Sequence, residues 1–207
     1  FEFTPPLSIR QQQEKLMIDY VSTFIFFFAV IDPIGSVPVF LAVTGQFNEK
    51  ARRRIALKAT LVAALVLLFF VVAGEVILTA MAIPLSAFQI AGGIVLFLFA
   101  LSMIFGESKP DEEIKLATSG SETAVFPLAI PSIASPGAML GAVLMTENGR
   151  YSLIEQAQTG GTILTVLVIV FVLLLSANWI HRLIGSSGAS IVSRVMGLIL
   201  ASVATAN

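Results

Sequence analysis

The sequence predicts an all-α membrane protein of six transmembrane helices, arranged as two inverted three-helix repeats whose first and fourth helices are broken. Three observations predict it. The 207 residues are 57% hydrophobic and 12% charged, with a mean hydropathy of +0.94, whereas a soluble domain carries roughly 25% charge. Six apolar segments are long enough to cross a bilayer, which takes about 20 residues for a hydrocarbon core roughly 30 Å thick. The pattern P-x-x-x-x-P stands at Pro33 and Pro38 and again at Pro131 and Pro136, each time near the middle of an apolar segment.

The spans are expected at 16–43, 55–82, 85–105, 123–145, 159–180 and 188–207. Residues 1–15 form an N-terminal extension without an apolar core of signal-peptide length, so no targeting signal is read from a start at Phe1 that is processed or cut. Spans two and three meet at Ala82, Ile83 and Pro84, where the proline favours a tight helical hairpin over one long helix. The polar stretch 106–122 is the linker between the halves 16–105 and 123–207. The last span reaches Asn207 without an interfacial anchor, so the natural chain is expected to continue a little further.

Orientation follows from the basic residues, which are retained on the cytoplasmic side. Lys50, Arg52, Arg53, Arg54, Lys58, Lys109, Lys115 and Arg182 fall on one side, against Arg10, Lys15 and Arg150 on the other. The N-terminus is therefore expected outside and the loop around Arg53 inside. A dedicated anionic-lipid site is the other reading of that basic cluster.

Composition also removes whole classes of function. A net charge of -1 gives no electrostatic footprint for nucleic acid. With no cysteine and one histidine, His181, the chain has no disulfide framework, thiolate nucleophile, zinc cluster or HExxH site. No cofactor and no enzymatic activity are expected. An intramembrane aspartyl protease would need two aspartates, and Asp32 is the only one inside a span.

The two proline pairs carry the functional reading. Three spans per half is an odd number, so the second half lies upside down relative to the first. In such repeats, interrupted helices at corresponding positions point to a substrate site, because unwound backbone survives at membrane depth only inside protein or beside a water-filled cavity. A proline removes a donor and frees a carbonyl one turn earlier. Freed N–H groups at a new helix start suit a carboxylate, and freed carbonyls suit a cation or an ammonium. The candidate binding set is Asp32, Pro33, Gly35, Ser36 and Pro38 in span one with Pro131, Ser132, Ser135, Pro136 and Gly137 in span four. Gly35 and Gly137 would admit a ligand close to the main chain. The competing reading of each proline pair is a simple kink.

Asp32 falls near the centre of its span, where a carboxylate costs on the order of 2.5–3.5 kcal/mol on insertion scales. It reads as the coupling group for a proton or cation, as a partner for a substrate ammonium, or as a cap on the helix after Pro33. Glu75 is expected at an interface or cavity rim. Arg194 is expected to snorkel to the inner surface, with a second reading in which it faces the interior in the place that Gln89 holds in the first half. Gly92-Gly93, Gly160-Gly161 and Gly197 are expected at close helix packing. Asn178, Trp179 and His181 read as an interfacial belt.

The stretches DPIGSVPVFL (Asp32 to Leu41), IAGGIVLFLFAL (Ile90 to Leu101) and VFPLAIPSIASPGAM (Val125 to Met139) together resemble the MarC family of six-span inner-membrane proteins. The resemblance implies relation to transporters of small neutral amino acids of the glycine, alanine, serine and threonine class, within a wider group that includes amino acid exporters. It also implies the cytoplasmic membrane of a bacterium or archaeon. The family pattern reads AGPGAI in span four where this chain has Ala134, Ser135, Pro136, Gly137, Ala138 and Met139, so Ser135 puts a hydroxyl where the backbone would be bare. The expected function is a secondary transporter working by alternating access, coupled to a proton or sodium gradient, with the lipid bilayer and a small neutral amino acid as its partners. The rivals are a non-transporting subunit packed against partner membrane proteins, an exporter of another small metabolite, and a passive channel. The sequence sets no oligomeric state.

Overall fold

The computed structural model describes residues 9–105 and 124–206. The helices in chain order are α1 (Ile9–Ile31), α2 (Ser36–Thr44), α3 (Glu49–Ala80), α4 (Leu85–Phe105), α5 (Ala124–Ile133), α6 (Pro136–Leu144), α7 (Leu153–Leu175) and α8 (Ala177–Ala206). Five stretches, Tyr20–Thr44, Glu49–Ala80, Ser86–Phe105, Leu153–Leu175 and Ala177–Thr205, are long and apolar enough to cross a membrane, and α5 with α6, bent by 55°, makes a sixth if the pair is one span. The expected linker, with Lys109 and Lys115, lies outside the described residues.

Three contacts fix which helix ends lie together. The Arg52 guanidinium donates to Asn178 Oδ1 at 3.4 Å, tying the start of α3 to the α7–α8 junction. At the other end Gln89 Nε2 donates to Glu147 Oε2 at 3.2 Å, and Asn148 N donates to Glu75 Oε2 at 2.6 Å, so the α6–α7 loop sits on the ends of α3 and α4. Glu75 thus holds the α6–α7 loop near the end of α3.

Side-chain size is sorted the opposite way from a water-soluble bundle. On α3 the buried face is largely small, with Ala56, Ala59, Thr60, Ala63 and Gly74 beside Leu67 and Leu78. Its outer face carries Leu61, Leu65, Phe69, Val72 and Val76, with Leu65 72% and Val72 77% exposed. Lipid solvates large apolar groups as well as a protein interior does, so the inside favours residues that bring backbones close. The span containing α1 and α2 is the exception, because most of it is enclosed: Phe27, Ala29, Val30, Ile31 and Val39 are all buried. It packs against α6, α7 and α8, while α4 runs along α8 and α3 along α7.

Several boundaries differ from the sequence expectation for identifiable reasons. The α1 helix reaches back to Ile9, into the expected extension. Asn48 caps α3 by accepting from Ala51 N, which starts that helix at Glu49 rather than at 55. Ser152 and Glu155 form a reciprocal capping box that starts α7 at Leu153 rather than at 159. Span five ends at Leu175 rather than at 180, residues 181–184 of the expected link are helical, and α8 is interrupted at Gly185, whose φ of +62° favours glycine.

The expected packing glycines divide. A Cβ at Gly197 would lie 2.9 Å from Met103 Cβ and 3.0 Å from the Ala100 carbonyl oxygen, and one at Gly92 would lie 3.0 Å from Leu140, so both permit close helix approach. Gly160 and Gly161 do not serve packing: the nearest atom to a Cβ at Gly160 is 3.9 Å away, and Gly161 faces open space.

Candidate functional site: a buried polar cluster at two helix breaks

The first break is built by Asp32. The α1 helix ends at Ile31, and Asp32 turns the chain with φ +52°, a left-handed conformation that aspartate tolerates better than most residues. Its Oδ1 accepts from Gly35 N at 3.0 Å, and its carbonyl oxygen accepts from Ser36 N at 3.1 Å and Ser36 Oγ at 3.2 Å. The capping role read for Asp32 is therefore present: its carboxyl group takes the N–H of Gly35 and its carbonyl that of Ser36, at the start of α2. Pro38 lies in the first turn of α2, where a missing N–H costs no intrahelical bond.

The second break follows different rules. In α5 the residues before the prolines, Phe126 (φ -129°, ψ 131°) and Ile130 (φ -133°, ψ 123°), are extended, as the proline ring demands of its predecessor. Both the Phe126–Pro127 and Ile130–Pro131 peptide bonds are cis. The chain then enters α6 through Ser135, whose Oγ accepts from Ala138 N at 3.2 Å and donates to the Val30 carbonyl at 3.0 Å. Pro136 occupies the first turn of α6, the place where its ring is pre-organised. The hydroxyl that departs from the family pattern is an N-cap and a clamp onto α1.

Side chains from both breaks and from α8 meet in one buried cluster. Ser132 Oγ donates to Ser36 Oγ at 3.3 Å, and Ser193 Oγ donates to Asp32 Oδ2. Asp32 is 1% exposed, and Ser36, Ser132 and Ser193 are fully enclosed. The hydroxyls run in a chain that ends on the Asp32 carboxyl and carbonyl oxygens, so each polar group has a partner, as buried polar groups require.

Of the residues read from the sequence, the structure brings Asp32, Gly35, Ser36 and Ser132 into this cluster, Ser135 is buried and bonded to Val30 and Ala138, and Pro33 is buried in the turn after Asp32. Pro131 is half-buried and Pro136 is exposed. Gly137 serves a different purpose from the one expected, since a Cβ there would lie 2.7 Å from Val30 Cγ2; the bare backbone lets α6 pack on α1. A Cβ at Gly35 would fall on the Asp32 carboxyl group and the Ser193 hydroxyl, so this glycine makes room for the cluster itself. Sequence reasoning missed Ser193. Its signal was the spacing of Ala189, Ser193 and Gly197, small residues one turn apart that are all buried on one face of α8. Arg194 does not face the interior: it is exposed, and Nη1 donates to the Ile104 carbonyl at 2.7 Å, reaching the end of α4.

Long apolar helices, small residues within and two broken spans joined by buried hydroxyls beside a buried carboxyl group define a polytopic α-helical membrane protein. The chain belongs to the MarC family of integral membrane proteins, whose model matches residues 17–206. It is 35% identical over 192 residues to the UPF0056 inner membrane protein YhgN of Escherichia coli K12, covering 91% of this chain and 93% of that one. It is 34% identical over 194 residues to a UPF0056 membrane protein of Methanocaldococcus jannaschii, covering 89% and 91%. A third relative, from Aquifex aeolicus, is 30% identical over 194 residues, with 92% and 90% covered. No solved structure matches the chain.

Proposed function

We propose that the protein is a secondary transporter of small neutral amino acids, working by alternating access between two inverted three-helix repeats, with its N-terminus outside. The observation that carries this reading is the buried cluster itself. A carboxyl group and two hydroxyls from the helix breaks meet a third hydroxyl from α8, in a bundle whose outside is apolar. Polar groups at membrane depth are costly unless they serve a pathway or pair with one another.

The helix contacts support the inverted repeat. Under a two-fold exchange of the halves, the α3–α7, α4–α8 and α1–α6 contacts pair span with counterpart, and the packing of the first span on α7 and α8 mirrors that of the fourth span on α3 and α4. Asp32 is the coupling candidate, for a proton or for sodium. The substrate class rests on membership of the family and on the chemistry of the breaks, where hydroxyls and main-chain groups would meet the ammonium and carboxylate of a small zwitterion.

One observation favours the rival reading of a membrane subunit that transports nothing. The cluster is closed, and both Asp32 oxygens are occupied by Gly35 N and Ser193 Oγ. An occluded carrier and a packed structural core both have this form. The test is uptake of labelled glycine, alanine, serine and threonine into proteoliposomes, with and without an imposed proton or sodium gradient, for wild type and Asp32→Asn. Saturable uptake with counterflow, losing its gradient dependence in the variant, is the expected result. No uptake from folded protein under any gradient would replace the carrier with the subunit, and uptake without counterflow would indicate a channel.

A further inference from the structure

We propose a second binding site, for one acyl chain of an anionic phospholipid, in the cleft between α4, α6 and the end of α8. This site is independent of the transport reading. The cleft encloses about 720 Å³, within the 300–1,000 Å³ of ordinary ligand sites. Its polarity is divided by position. Ser86, Gln89, Arg150 and Tyr151 stand at the mouth, at the bundle end that holds the α6–α7 loop, and the wall beyond is apolar, with Ile94, Leu98 and Leu140.

The dimensions suit a lipid. Ser86 and Leu98 are twelve residues apart on α4, or about 18 Å along the helix. One leaflet of a hydrocarbon core roughly 30 Å thick is about 15 Å deep. A chain lying in the cleft with its headgroup at Arg150 would end near the bilayer midplane. Two glycines hold the space open: Gly93 lines it, and Gly141 lets the Phe26 ring form its back wall, where a Cβ would fall on that ring.

Charge selects the headgroup. The Arg150 guanidinium lies 5.7 Å over the Tyr151 ring and has no ion-pair partner among the described residues. The nearby Glu147 carboxylate is engaged by Gln89 and is not part of the lining. An exposed guanidinium at headgroup level, next to a tyrosine, is suited to a lipid phosphate. The site lies at the opposite end of the bundle from the basic cluster around Arg53.

The test uses the full chain. Detergent-solubilised protein is exchanged into dioleoyl phosphatidylglycerol or dioleoyl phosphatidylcholine, and retained lipid is counted by native mass spectrometry. One phosphatidylglycerol per chain, preferred about tenfold over phosphatidylcholine, is expected. Arg150→Gln, a surface change, should erase the preference, Arg53→Gln should leave it, and Gly93→Leu should reduce retention of both lipids. Equal retention of the two lipids with Arg150→Gln silent would overturn the proposal. So would a Gly93→Leu variant that loses dimers and no lipid, because a second copy of the chain would then be the occupant.

Discussion

The two helix breaks occupy matching places in the sequence and are built from unlike chemistry. At the first, an aspartate with positive φ caps the next helix with its own carboxyl group; at the second, proline geometry bends the chain and a serine does the capping. Aligned on their prolines, Asp32 corresponds to Ile130, an extended and half-buried residue with no polar atom in its side chain. The α1 helix stops at Ile31, just before Asp32 and Pro33 turn the chain, whereas α5 is itself interrupted at Phe126 and Ile130, directly ahead of its two prolines. A repeated motif therefore conserves the place of a break and not its means, and only one of the two breaks contains a titratable group. Any coupling to a proton or cation at the breaks would be carried by the first half alone, with the second supplying hydroxyls.

The largest effect that would break this comparison is expected from Gly35→Ala. The added methyl coincides with the Asp32 carboxyl group and the Ser193 hydroxyl, and overpacking costs typically about 1–3 kcal/mol and occasionally more, here with the whole hydrogen-bonded cluster displaced. Loss of folded protein in size-exclusion chromatography is the expected result, while Gly161→Ala, in open space, stays within about 1 kcal/mol of wild type. If the two variants behaved alike, the first break would not be the tightly packed one. Ser193→Ala comes next. It removes the donor to Asp32 Oδ2 and leaves a buried acceptor unmet, a loss of about 1–3 kcal/mol, seen as a lower thermal midpoint in detergent micelles. A midpoint equal to that of wild type would mean that α8 takes no part in holding the first break.

The fold was legible where physics is local, and the cluster was legible only in part. Apolar length gave the spans, and the prolines gave the breaks, because both signals act within a few residues of themselves. The α7 start was misplaced although Ser152-Leu-Ile-Glu155 spells a capping box, since hydropathy outweighed a polar signal at the membrane edge. Ser193 could not be assigned to Asp32 from sequence, as the two are 161 residues apart and the pairing exists only through packing of α8 on the first span. Gly137 looked like a ligand contact for the same reason that it packs well: absence of a side chain admits any neighbour, and sequence does not say that the neighbour is Val30.

At the second break the expected effect is smaller and its sign is informative. Ser135→Ala removes an N-cap and the clamp on Val30, at about 1 kcal/mol. Ser135→Gly, which restores the family pattern, should cost only a few tenths, because glycine is itself a tolerated cap. A thermal midpoint for Ser135→Gly as low as that of Ser135→Ala would show that the clamp on α1 matters more than the cap.

The smallest stability effect, about 0.5–1 kcal/mol, is expected from Ser132→Ala, which loses one neutral hydroxyl bond at 3.3 Å. It is also the sharpest probe of how the breaks communicate, because Ser132 and Ser36 join them side chain to side chain. In a double-mutant cycle with Ser36→Ala, the two changes should be non-additive by about 0.5 kcal/mol. A carrier must part these breaks and bring them together again in each cycle, so weakening the bond should raise the counterflow rate as well as lower the thermal midpoint slightly. A structural core would show the coupling in its midpoint and have no rate to change.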